Sequence, residues 1–377
     1  MAVAAAAVAV WLPVPPPGAR AEPAAGRSEH GTEVVGAVHV HTTHSDGALD
    51  VAGVVDEGRA AGLDFVLITD HNTLAAQPRE GYAGDLLLIV GVEISTDTGH
   101  VLAFGFDAPP EYPFPQRAEA VLREITDLGG TAVVAHPTSP RERLAWTDPA
   151  LPGTWGIEVV NGDTQWRTAG APRILLSGLV YPFSPRYALS QLMSRPAAAA
   201  LWDTLLARRP AIGIVGVDAH TRLPSYEAVF RVARNHVLLD APLTGNGPRD
   251  VAAVVDALSR GRAFIGIDGI APTDGFFFSA ERAGRSWSMG ETVAPTPELR
   301  LRAGGAAHPE AVHHLLKDGE VVLSETGGFD VAAAEAGVYR VEVTLPGWRI
   351  PWIMSNPIYV RDTAAGVSPS DRSRATP

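Results

Sequence analysis

The chain contains no cysteine. Disulfides, thiolate zinc sites and cysteine nucleophiles are thereby excluded, and any metal must rest on histidine, aspartate and glutamate. Lysine is nearly absent too, Lys317 being the only one. Arginine supplies the rest of the positive charge and is outnumbered by acidic residues, leaving a net charge of −12. That balance argues against general affinity for nucleic-acid backbone or an anionic membrane, while leaving room for a local arginine pocket. Long apolar runs, internal repeats and coiled-coil heptads are missing as well. The apolar leader at 1–12 is too short to anchor in a bilayer. It runs into prolines and then Ala19-Arg20-Ala21, an A-x-A pattern that fits signal-peptidase cleavage, although no basic residue precedes the apolar run. Residues 1–21 are therefore read as a signal peptide, and the mature protein as exported, periplasmic or extracellular. What the sequence does have is 377 residues, 46% hydrophobic and 19% charged, which indicates a folded globular chain with material for more than one domain.

From residue 34 to about 268, short β-like runs alternate with helical segments. The first strand is expected at 34–38. A helix is expected at 51–61 with Asp50 as its N-cap, then strands at 65–69, 85–93, 100–105, 131–136, 156–161, 211–220, 236–239 and 263–266. Helices are expected at 117–128 and 248–260, with a proline-containing helical region over 171–208. Such alternation predicts an α/β fold with a parallel sheet or (β/α) barrel, in which chemistry lies at the C-terminal strand ends. From about 275 to 362 the pattern changes to short, regularly spaced strands with turns such as Lys317-Asp318-Gly319-Glu320, which predicts a C-terminal all-β, sandwich-like domain. Residues 363–377 read as a disordered tail.

The chemistry is concentrated at strand ends. His39 and His41 lie two apart on a strand, so both imidazoles face one point. Asp46 follows on a Ser-Asp-Gly turn that can fold its carboxylate back. His71 ends the next strand beside Asp70. Glu93, His100, His136, Asp218 and His220 take similar positions. Nine convergent donors exceed what one ion takes, so two or three divalent ions are expected; an all-N/O set suits zinc, manganese or iron. Ions a few ångströms apart bridge a hydroxide and clamp a developing oxyanion, which is hydrolysis chemistry with phosphate esters foremost.

The ordered set His39-x-His41, Ser45-Asp46-Gly47, Asp70-His71-Asn72, Gly91-Val92-Glu93, His136-Pro137 and Asp218-x-His220 resembles the polymerase and histidinol phosphatase (PHP) superfamily over about 34–268. That resemblance implies a distorted barrel of seven (β/α) units with a di- or trinuclear centre. By the same resemblance, His39, His41, Glu93 and Asp218 hold one ion. Glu93, His100 and His136 hold a second, with Glu93 bridging, and Asp46, His71 and His220 hold a third. The leader, the barrel and the tail ending Pro351 to Val360 together resemble the exported carbaryl hydrolase-like branch.

Around this set, Asp70 is read as a partner orienting a histidine. Arg141, Arg143 and Arg222 follow strand ends and could grip phosphate oxygens, with solvated loop arginines as the plain alternative. Asn161 is a weaker substrate contact. Trp146, Trp155, Trp166, Tyr181 and Phe183 could wall a pocket, though aromatics usually pack. His44 faces away from the cluster; His30, His236, His308, His313 and His314 carry no partner pattern. The expected function is a phosphoesterase, whether phosphatase, phosphodiesterase or 5′-to-3′ exonuclease-type, acting on a small phosphate ester or nucleotide. A carbamate, ester or amide hydrolase using the same ions is the first alternative, and a non-catalytic exported binding protein the second.

Overall fold

The computed structural model describes residues 31–110, 114, 116–148, 156–306 and 308–362. The expected signal peptide and tail, His30 and Trp155 lie outside the described residues. The N-terminal strands are β1 (Thr32–Val40), β2 (Phe65–Ile68), β3 (Gly81–Ala83), β4 (Leu86–Val90), β5 (Val92–Thr96), β6 (Gly99–Phe104), β7 (Thr131–Val134), β8 (Gly156–Asn161), β9 (Ile212–Gly216), β10 (Arg234–Leu239) and β11 (Ala263–Gly266). The C-terminal ones are β12 (Phe277–Arg282), β13 (Arg285–Ser288), β14 (Thr292–Val293), β15 (Arg300–Gly304), β16 (Val312–Lys317), β17 (Glu320–Thr326), β18 (Phe329–Ala332), β19 (Gly337–Thr344), β20 (Ile353–Ser355) and β21 (Ile358–Val360).

The fold is mixed α/β, with three sheets among the described residues. The largest runs β14-β21-β19-β20-β11-β10-β1-β2-β4-β3, with β16 and β17 added beside β19; a five-stranded sheet runs β5-β6-β7-β8-β9 and a four-stranded one β13-β12-β15-β18. β1, β2 and β4 are parallel, as are β7, β8 and β9. The helix Val51–Ala61 makes the first crossover. Asp50 caps it by accepting from the Gly53 amide at 2.9 Å, Val51, Val54, Val55 and Gly58 form its buried face, and Gly62 ends it with φ 74°. All residues of β2 and β4 are buried, as strands covered on both faces require.

The sequence predicts a parallel sheet or barrel, and the structure adds antiparallel pairs to it. β6 is antiparallel to both β5 and β7, and β10 is antiparallel to β1 and β11. β5 and β6 are joined by only two residues, and a connection so short permits only a hairpin.

The five-stranded sheet meets the large sheet along both edges. At one seam β4 passes through Gly91 into β5, where Gly91 N donates to the Ile68 carbonyl at 2.8 Å and Asn72 N to the Glu93 carbonyl at 2.8 Å. At the other, Val217 N donates to the Val38 carbonyl and Asp218 N to that of His39, at 2.9 and 2.8 Å. These seams bring the strand exits carrying His39, His71, Glu93 and Asp218 together.

The C-terminal region is β-rich and continuous with the rest, since β11 pairs with β20. Its core side chains, among them Phe278, Leu301, Leu315 and Val341, join one buried cluster with Ile157 and Trp202. Buried Arg340 pairs with Asp203 at 2.9 Å and Glu342 at 2.7 Å, tying β19 to the helix Ala198–Leu206. Of the neighbouring histidines on β16, His313 faces inward against Phe276. His314 faces the other way, 2.8 Å from Ser324 Oγ.

Candidate metal centre

The exit of β1 does not continue as a regular strand. Its register against β2 shifts between Val38 and Val40, and His39 takes φ 68°. His136 and Asp218 also hold left-handed φ values, 29° and 53°. Each such residue costs about 1–3 kcal/mol. Three of them at one point mark a place where surrounding structure forces side chains inward.

Glu93 is the hub. It is fully buried, and its Oε1 lies 2.7 Å from His100 Nδ1 and 2.9 Å from His136 Nε2. Its Oε2 lies 3.1 Å from His39 Nε2, 3.2 Å from His41 Nε2 and 3.2 Å from His71 Nδ1. Asp218 Oδ1 approaches His39 Nε2, His41 Nε2 and His220 Nδ1 at 3.4, 3.6 and 3.2 Å. Towards solvent, Asp46 Oδ1 is 3.4 Å from His220 Nε2 and its Oδ2 is 3.7 Å from His71 Nε2. All nine side chains singled out as ligands from the sequence thus stand in one cluster.

Sequence reasoning missed Glu158 in this role. Its carboxylate is fully buried and accepts from His39 Nδ1 at 2.6 Å, from His136 N at 2.6 Å and from Asn161 Nδ2 at 2.9 Å. The contact with His39 fixes that ring's proton on Nδ1 and turns the Nε2 lone pair towards Glu93 and Asp218. The Leu144 carbonyl does the same for His136 at 3.2 Å, and the Asp218 carbonyl for His220 at 2.9 Å. Asn161 joins the two carboxylates, reaching Asp218 Oδ2 at 3.1 Å. Gly216 gives Glu158 its space, since a Cβ there would sit 1.7 Å from Oε1. The available signal was a lone acidic residue inside an otherwise apolar strand, Ile157-Glu158-Val159-Val160.

Asp70 is buried and accepts from Thr42 N and Oγ1, both at 2.7 Å, and from Ser45 Oγ at 2.6 Å. It therefore shapes the turn that carries Asp46, and it reaches His41 through Ser45, whose Oγ is 3.4 Å from His41 Nδ1.

Burial works against charge on Glu93, yet His39, His100 and His136 hold its carboxyl well below the usual range. Asp218 is held low in the same way, against its burial, by His39 and His41. Burial also pushes the His39 imidazole down, but Asp218, Glu158 and Glu93 outweigh it and hold it well above its ordinary value. Against the same burial, Asp218 and Glu93 lift His41 to about 9, and Glu93 lifts His136 to about 8. The field inside the cluster therefore favours positive charge. Among the described residues the buried His41 Nε2 and His71 Nδ1 make no aligned hydrogen bond despite standing 3.2 Å from Glu93 Oε2, and buried nitrogens without a hydrogen bond are costly. A cation between them and Glu93 would remove that cost. Ligand atoms of His39, Glu93 and His136, of His39, His41 and Asp218, of His71, Glu93 and His100, and of His41, Asp46, His71 and His220 each lie within 4.8 Å of one another. The residues present fit divalent metal ions.

The cluster forms one wall of a cavity of about 750 Å³. Arg141, Arg143, Arg167 and Trp166 also line it. Arg167 is paired with Asp163, whereas among the described residues Arg141 and Arg143 have no carboxylate partner. Arg222 donates from Nη2 to the Ala48 carbonyl at 3.1 Å. Trp146 Nε1 donates to the Asp148 carbonyl at 2.8 Å, the Tyr181 hydroxyl accepts from Ser225 N at 3.2 Å, and Phe183 is 88% exposed. No helix among the described residues is long and apolar enough to cross a membrane.

No family model matches the sequence, and no curated protein matches it. Solved structures do. One is a two-domain protein from Bacteroides vulgatus containing a predicted PHP-like metal-dependent phosphoesterase, 16% identical, with a TM-score of 0.45 over 92% of this chain and 99% of that one. A second is a metal-dependent phosphoesterase, so described provisionally, from Bifidobacterium adolescentis, 18% identical, with a TM-score of 0.33 over 50% of this chain and 88% of that one. A third is an amidohydrolase from Chromobacterium violaceum, 17% identical, with a TM-score of 0.31 over the same shares, 50% and 88%.

Proposed function

We propose that this protein is a metal-dependent hydrolase whose main reaction is the cleavage of phosphate esters. The observation that carries the reading is Glu93, one buried carboxylate with five imidazole nitrogens within 3.2 Å at the wall of a cavity that also presents Arg141 and Arg143. Two or three ions of manganese, zinc or iron type are proposed, on the ligand sets the PHP resemblance implies. The two seams between the sheets support reading β1, β2, β4–β5 and β6 to β9 as a distorted seven-stranded barrel over 34–268. The region 275–362 is proposed as a sandwich-like domain.

When bound, such ions supply Lewis acidity towards a phosphoryl oxygen and a nucleophile at neutral pH. The chain's own residues do the rest. Glu158 and the carbonyls of Leu144 and Asp218 hold the protons of His39, His136 and His220 on Nδ1, so that Nε2 is free to ligate. Arg141 and Arg143 bind and orient the anionic oxygens by forked hydrogen bonds. A second reading, hydrolysis of a carbamate, carboxylic ester or amide at the same ions, is favoured by the apolar part of the cavity wall.

The test is turnover of p-nitrophenyl phosphate, bis-p-nitrophenyl phosphate and p-nitrophenyl acetate by metal-reconstituted wild type, Glu93→Gln and Arg141→Ala/Arg143→Ala. Phosphate-ester cleavage should fall more than about 100-fold in Glu93→Gln, because loss of even an outer partner of a ligand costs about 10–100-fold. In the arginine variant KM for the phosphate esters should rise. Cleavage of the acetate alone would move the protein to the second reading, and no turnover with any metal would overturn both.

A further inference from the structure

We infer that the cavity contains a second, apolar subsite beside the metal cluster, and that the substrate is an ester of a bulky apolar alcohol or phenol rather than a small polar phosphate. The inference rests on the hydrolytic reading of the cluster and extends it to the group that leaves. The cavity of about 750 Å³ is sized for a drug-like ligand, far beyond a phosphate group. Away from the histidines its wall includes Leu189, Leu192, Met193, Val217, Val229 and Val232. These side chains come from three places that the fold brings together: the exit of β9, the helix Tyr226–Phe230 with the turn after it, and the helix Pro185–Ser190 with the segment after it. None of these six carries a polar group, and of the polar side chains that also line the cavity, Gln165, Thr221 and Tyr226 are engaged with the backbone of Ser194, Leu223 and His41.

The apolar wall reaches the outside. Leu223 and Trp166, which line the cavity, are 75% and 41% exposed. On the helix Ala171–Val180 Ser177 is the one buried residue, while Leu175 and Leu179 are 68% and 65% exposed. This helix is fastened over the cavity segment. Ser177 Oγ donates to the Ala188 carbonyl at 2.7 Å, Arg173 Nη2 donates to the Met193 carbonyl at 2.9 Å, and the Tyr181 hydroxyl, just past its end, accepts from Ser225 N. Exposed apolar side chains thus stand at the mouth of the cavity, at Leu223 and Trp166. An amphiphilic ester matches both ends, with its anionic head at Arg141, Arg143 and the metal ligands and its apolar group along Leu189 to Val232.

The test is calorimetric titration of metal-reconstituted protein with methyl-, butyl-, hexyl- and octylphosphonate, which cannot be hydrolysed, and with the matching N-alkylacetamides, which carry no anion. Each added methylene should tighten binding by up to about fourfold. In Leu189→Gln and Met193→Gln, with folding checked by thermal melting, that chain-length dependence should flatten. A phosphonate series without chain-length dependence in the wild type would overturn the inference, as would a dependence left intact in both variants. A dependence in the acetamides with no binding of any phosphonate would sustain the apolar subsite while rejecting the phosphate reading.

Discussion

At the scale of single residues, the centre depends on carboxylates that touch no metal in the proposed scheme. Glu158 fixes the proton of His39 and the backbone of His136 at once. Glu158→Gln keeps the volume but halves the acceptor capacity, so one of these contacts must fail. Metal affinity should drop about 10–100-fold, read by competition with a chromophoric chelator, and Gly216→Ala should give a loss of the same kind by displacing the same carboxylate. Unchanged affinity in both variants would show that the His39 tautomer does not matter to the site.

At the scale of elements, β10 carries a second buried charge cluster, built for stability. His236 Nδ1 lies 2.6 Å from Glu33 Oε1, and its Nε2 lies 3.2 Å from Asp268 Oδ2 and 2.9 Å from Thr273 Oγ1. With both nitrogens satisfied, this is an ion pair joining β1, β10 and the turn after β11. Burial lowers the imidazole's pKa, but Asp268 and Glu33 outweigh it and raise it to about 10. A folded pKa raised above the unfolded value gives stability that is complete below about 6.5 and lost as pH climbs towards 10. The Asp268 carboxyl is held low, against its burial, by His236 and Arg234; its share is present above about 3.9 and lost as pH falls. The melting temperature of the wild type should therefore decline between pH 6.5 and 10 more steeply than that of His236→Gln. Parallel curves would contradict the assignment.

The same element shows what a sequence can carry. The helix at Val51–Ala61 is legible because Asp50, the spacing of Val51, Val54 and Val55, and Gly62 all agree locally. Most of the ligands are legible because they stand at or beside the end of an apolar run, as His39, His71, His136 and Asp218 do. Strand directions are less so: β10 has the same apolar pattern whichever way it runs, and only its pairing with β1 decides. Glu158 and His236 are illegible for a related reason. Their partners lie 119 and 203 residues away, and no local spacing encodes that contact.

At the scale of the whole molecule, an acidic chain of net charge −12 brings histidines and two arginines without a carboxylate partner among the described residues to one cavity, a distribution from which we propose local anion binding rather than affinity for long nucleic acid. The strain at His39, His136 and Asp218, and the His41 and His71 nitrogens without an aligned hydrogen bond, are costs that bound ions would offset. Ions that bind only the folded state stabilise it, by about 2.7 kcal/mol at a hundredfold excess over Kd. The most direct measurement is elemental analysis of the purified protein after reconstitution with manganese, iron or zinc, beside Glu93→Gln, with melting temperatures before and after chelation. Two or more equivalents in the wild type, fewer in the variant, and a lower melting temperature on chelation only where metal was bound are the predicted results. Less than one equivalent in the wild type, with melting indifferent to chelator, would contradict the account.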